Sequence, residues 1–122
     1  MLTVATVVLG LALVIGTTAA VSWLRRDGRP PASWLATAHG IAAVAGFGLL
    51  VAALAGTQRG AATGTQSFGM IAALLLGATA LIGLAMLAIH VLKRRVAGAL
   101  VGSHATLAVA GFVILAVYAM LG

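Results

Sequence analysis

The sequence predicts an all-α protein, a transmembrane four-helix up-down bundle built as a duplicated helical hairpin, with residues 1–122 forming a single membrane domain. Three observations carry that expectation. Of the 122 residues, 63% are apolar and only 7% charged, with a mean hydropathy of +1.23, an excess that a water-facing surface does not accommodate. The apolar residues gather into four runs, each long enough for the roughly 20-residue helix that crosses a bilayer. The second and fourth runs repeat one another.

The first run, 2–24, is followed rather than preceded by charge, with Arg25 and Arg26 at its end. A signal peptide carries its basic residues first, so this run reads as an uncleaved span with its N-terminus outside. Arg25-Arg26-Asp27-Gly28-Arg29-Pro30-Pro31 combines charge with helix breakers and reads as a tight cytoplasmic turn, its prolines suited to the first turn of the next helix. The second run covers 32–55. The segment 56–67 is rich in Gly, Thr and Gln, has Arg59 as its one charge, and is expected to be an external, mobile loop. The third run, 68–92, closes on Lys93-Arg94-Arg95, and the fourth covers 97–121. Short connections make sequence neighbours antiparallel.

The duplication shows when the spans are aligned. His39-Gly-Ile-Ala-Ala-Val-Ala-Gly46-Phe47 matches His104-Ala-Thr-Leu-Ala-Val-Ala-Gly111-Phe112, and Leu9-Gly10 with Ile15-Gly16 corresponds to Leu76-Gly77 with Ile82-Gly83. Each unit has two spans, so the copies share one orientation about an axis along the membrane normal.

Seven basic residues against the single acid Asp27 give a net charge of +6 and a pI near 12.0. This is not a nucleic-acid surface, because Arg25, Arg26, Arg29, Lys93, Arg94 and Arg95 occupy two short gaps between spans. That is the positive-inside pattern: it sets loops 25–31 and 93–96 in the cytoplasm and both termini outside, as in a bacterial inner membrane. Such gaps also attract anionic head groups, by roughly 1 kcal/mol per basic residue. Cysteine is absent, which excludes disulfides, iron–sulfur clusters and thiolate sites.

One layer gathers the candidate functional residues. His39 lies ten residues after Arg29, His104 nine after Arg95, Gly16 nine before Arg25 and Gly83 ten before Lys93. At 1.5 Å per residue all four sit about 13–15 Å from the charged groups, in the cytoplasmic half of the bilayer. An ionisable residue at that depth is expensive unless paired or turned inward. The second and fourth helices of an up-down bundle are diagonal, so the two imidazoles can face each other. Gly16 and Gly83 offer room for a porphyrin between them, and Gly46 and Gly111, on the same stripes as the histidines, widen that room. The same glycines also suit close helix approach without a cofactor, and each His can instead bond a neighbouring helix backbone or a local hydroxyl such as Ser103 or Thr106.

With these residues the sequence resembles the four-helix transmembrane b-type cytochromes, including the core of respiratory cytochrome b. The resemblance implies His39 and His104 as axial ligands of haem iron, Gly16 and Gly83 as residues packing on the porphyrin, and one haem b, since each ligand helix has a single His. His90, three residues before Lys93, reads as a wet interfacial residue rather than a ligand. With Met86 it suggests a copper pair, but Met1, Met70, Met86 and Met120 make no ladder across the membrane. Trp23, Trp34 and Tyr118 read as interface anchors.

The expected function is a non-catalytic electron-carrier or anchor subunit of a respiratory chain, relaying electrons between a partner protein and quinone, with the lipid bilayer and other membrane or peripheral subunits as partners. No span carries a carboxylate, no serine–histidine–acid set assembles, and no phosphate-binding loop is present. The alternative is a cofactor-free structural or assembly subunit of a larger membrane complex. A small transporter ranks below both, because its proton-coupling acid is missing from the spans.

Overall fold

The computed structural model describes residues 1–57 and 59–122. They form four helices: α1 Leu2–Arg25, α2 Ser33–Leu54, α3 Phe68–Val91 and α4 Gly98–Leu121. All four are long and apolar enough to cross a membrane, and among the described residues there is no strand. The molecule is an integral membrane four-helix bundle. Helix is the form that lipid permits, because it satisfies each backbone N–H and C=O within the segment. The outward faces are as apolar as the inside, with Leu11, Val14, Ile41, Val44, Leu74, Leu81, Val109 and Val113 all exposed. Lipid rather than water is the solvent for that surface.

The helices begin and end within a residue of the hydropathy-based bounds. Pro30 and Pro31 differ slightly from expectation: they precede α2 instead of occupying its first turn, and Ala32, with φ −54° and ψ 136°, is its N-cap. Consecutive prolines hold the preceding chain extended, so the helix starts once they are passed. Both basic turns leave their helix by the same device. Asp27 (φ 54°) and Lys93 (φ 56°) are left-handed, and the N–H groups of Gly28 and Arg94 reach back to the carbonyls of Trp23 and Ile89 at 2.9 and 3.0 Å. These are Schellman turns, which cap the last helical carbonyls.

Packing is closest within each hairpin, α1 on α2 and α3 on α4, while α1 meets α4 and α2 meets α3 along the two remaining sides. The pairs α1/α3 and α2/α4 are therefore diagonal. The two repeats make the same contacts. Leu9 of α1 packs into the gap at Gly46 of α2, and Leu76 of α3 into that at Gly111 of α4. Across the repeats, the Phe112 ring lies on Gly10 and the Phe47 ring on Gly77, with 3.2 and 3.4 Å from ring carbon to where a Cβ would stand. Ala5, Leu50, Ala72 and Leu115 are fully enclosed beside these contacts.

This core fills the half of the bundle away from the basic loops. Tyr118 belongs to it: expected at the interface, it is only 4% exposed, because Gly69 at the start of α3 leaves the space its ring occupies. Trp34 is exposed, and Trp23 lies over Gly28 and Gly98 at the basic end. Two side chains of the 56–67 segment, Arg59 and Thr63, bond to the end of the chain beyond α4 and to its last turn. The Arg59 guanidinium donates to the Gly122 carbonyl at 3.1 Å, and the hydroxyl of Thr63 lies 3.1 Å from the Leu121 carbonyl and 2.8 Å from the hydroxyl of buried Thr65.

Candidate functional site

His39 and His104 each stand in the second turn of their helix and are half-buried. Each reaches sideways to its own hairpin partner rather than to a local hydroxyl. His39 Nδ1 donates to the carbonyl oxygen of Ala12 at 2.8 Å, and His104 Nδ1 donates to that of Thr79 at 2.9 Å. Ser103 and Thr106, the local alternatives, donate to Ala99 and Gly102 within their own helix.

Gly16 and Gly83 explain why those carbonyls are reachable. They lie one turn beyond Ala12 and Thr79, and a helical Cβ leans back over the carbonyl of the preceding turn. Without that Cβ the carbonyl is open and the imidazole lies against the bare backbone. A Cβ on Gly16 would stand 2.6 Å from His39 Cε1, and one on Gly83 would stand 3.0 Å from His104 Cε1. The room expected for a porphyrin edge at these two positions is thus taken by the two imidazole rings. Gly46 and Gly111 likewise do not widen the histidine layer, since Leu9 and Leu76 fill them, with Cγ 2.7 and 2.9 Å from a Cβ position. Small residues in membrane helices commonly serve such close approach.

The two rings converge across the diagonal. Their centroids are 5.9 Å apart with planes at 78°. With Nδ1 of each donating to a carbonyl, Nε2 is the nitrogen left for a ligand role, and this backbone bond is the outer-shell contact typical of metal-bound imidazole. Two imidazoles sharing one ion through nitrogens about 2 Å from it place their ring centres roughly 6 Å apart. From this layer to the basic loops, Leu35 is the only buried residue among those described. No group of three or more His, Cys, Asp or Glu residues is gathered anywhere among the described residues, which leaves a bare ion under-coordinated. A macrocycle that brings four nitrogens of its own needs only the two histidines. The residues present fit haem in ligand type, separation and tautomer.

His90 is not part of this site. It is exposed near the basic end of α3, and Met86 is half-buried one turn away. The contributions of Ala12 and Thr79 were invisible as side-chain chemistry; their signal is a glycine four residues on, opposite a histidine.

Fold and site together define a class: an integral membrane four-helix bundle of two similar hairpins, each supplying one inward histidine to a shared central layer. Beyond that class, no protein-family model matches the chain, and neither a curated protein nor a solved structure matches it.

Proposed function

We propose that the chain is a membrane electron-transfer subunit or anchor, holding one b-type haem between His39 and His104 and relaying electrons between a partner protein and quinone in a respiratory chain. The observation that carries this reading is the convergence of two tautomer-fixed imidazoles from diagonal helices, at a 5.9 Å separation. Haem, when bound, supplies one-electron chemistry. The protein's own residues supply the rest. The Ala12 and Thr79 carbonyls orient the rings and keep the proton on Nδ1, and Gly16 and Gly83 admit the rings. The surrounding apolar helices would keep water from the layer, and the basic residues of the loops would offset the charge of haem propionates. This reading sets the chain in a bacterial inner membrane, with both termini outside and loops 25–31 and 93–96 in the cytoplasm, an orientation that the clustering of basic residues in those loops supports.

The test is the absorption spectrum of protein purified from cells with ample haem. A reduced b-type band, lost in both His39→Ala and His104→Ala, supports the reading; a colourless protein overturns it. The competing reading, a cofactor-free assembly subunit, draws support from the way each imidazole already fills the gap at its glycine. Co-purification of partner subunits with colourless protein is its signature.

A further inference from the structure

The two repeats share the core pairs Ala5/Ala72, Leu9/Leu76 and Leu50/Leu115 but differ along one outward stripe of α1. Thr17, Thr18, Val21, Ser22, Arg25 and Arg26 form one shallow, open strip on this single helix, running from mid-depth to the basic loop. Aligning Gly16 with Gly83, the corresponding α3 residues are Leu84, Ala85, Ala88, Ile89, Leu92 and Lys93. Packing does not require the difference, since Thr17, Thr18, Arg25 and Arg26 are exposed, as are Leu84 and Leu92. Polar side chains facing lipid carry a cost that apolar ones do not. Here it is reduced because the Thr17 and Thr18 hydroxyls donate to the Leu13 and Val14 carbonyls at 2.8 and 3.0 Å, leaving oxygen lone pairs outward.

The stripe ends in cations at head-group depth. Arg25 closes α1, and Arg26 donates to the Pro30 carbonyl at 3.0 Å, holding its side chain over the turn. The nearest acid in sequence, Asp27, is the only one in the chain. Guanidinium groups bind phosphate with directed paired hydrogen bonds. Below them Ser22 and Thr17 are smaller than Ile89 and Leu84, which stand at the matching positions of α3.

We propose that this stripe binds one anionic phospholipid, with its phosphate on Arg25 and Arg26, its glycerol region at Ser22 and the start of an acyl chain along Val21, Thr18 and Thr17. The chemistry matches in charge at one end and in shape along the rest. The site is independent of the haem proposal.

The test uses full-length protein in vesicles of phosphatidylcholine mixed with acyl-brominated phosphatidylglycerol, reading quenching of Trp23 and Trp34, which stand on either side of the 25–31 turn in sequence. Brominated phosphatidylglycerol is expected to quench well below the mole fraction at which brominated phosphatidylcholine does so. R25Q/R26Q weakens that preference roughly thirtyfold. T17L/T18A/V21A/S22I, which gives α1 the uncharged part of the α3 stripe without changing charge, removes it while the folded helix content is kept. K93Q/R94Q leaves it in place. Persistence of the preference in T17L/T18A/V21A/S22I, or equal loss in K93Q/R94Q, overturns the proposal in favour of general surface electrostatics. Displacement by soluble inorganic phosphate overturns it in favour of a free-anion site.

Discussion

Gly16 and His39 share one volume: the imidazole occupies the space beside α1 in which a Cβ on residue 16 would stand 2.6 Å from Cε1. The ring cannot retreat without lengthening its 2.8 Å bond to Ala12. Gly16→Ala is therefore expected to displace His39 and to cost roughly 1–3 kcal/mol, as overpacking does. Gly83→Ala has more room, 3.0 Å to His104, and is expected to cost less. Chemical denaturation of both variants in detergent checks the order, and a haem band, where present, shifts or weakens more in Gly16→Ala.

Removing a ring is expected to be milder for stability than crowding it. Interhelical hydrogen bonds in membranes contribute on average about 0.6 kcal/mol, and the Ala12 and Thr79 carbonyls keep their helical partners. His39→Ala and His104→Ala are thus expected to remain folded by circular dichroism. Loss of colour in them would then report loss of ligand rather than loss of fold.

The hairpins are joined by Phe112 on Gly10 and Phe47 on Gly77. Phe47→Ala and Phe112→Ala are expected to destabilise to similar extents, because their surroundings are equivalent. Each effect should fall below the roughly 3–5 kcal/mol usual in water, since lipid solvates the exposed faces and the cavity term remains without most of the transfer term. Reversible unfolding in mixed micelles gives the comparison.

Lys93 holds a left-handed conformation that glycine adopts without penalty. Lys93→Gly is expected to stabilise the α3–α4 turn by about 1 kcal/mol, while Lys93→Val destabilises it. Melting temperatures of the two variants should move in opposite directions.

The absence of cysteine makes topology directly measurable. Ala32→Cys and Gln66→Cys lie at exposed positions on opposite ends of the bundle. An impermeant thiol reagent applied to intact cells is expected to label Cys at 66 and to reach Cys at 32 only after permeabilisation; the reverse result inverts the proposed orientation.

The four spans, their limits and the duplicated pattern were legible because length, hydropathy and charge are local properties that lipid reads directly. The common depth of His39 and His104 followed from counting residues from the charges. The burial of Tyr118, and the bonds from Arg59 and Thr63 to the end of α4, were not legible, because the partners come from distant parts of the chain.

By itself, then, the sequence determined how many helices there are, where they end and which residues lie at equal depth. Tertiary structure alone decided that Gly16 and Gly83 receive imidazoles, that Gly46 and Gly111 receive Leu9 and Leu76, and that the two rings meet across the diagonal. The reason lies in the solvent. In water an apolar stripe fixes the rotation of a helix about its axis, but helices apolar all round carry no such mark, and shape at close contact sets that rotation instead.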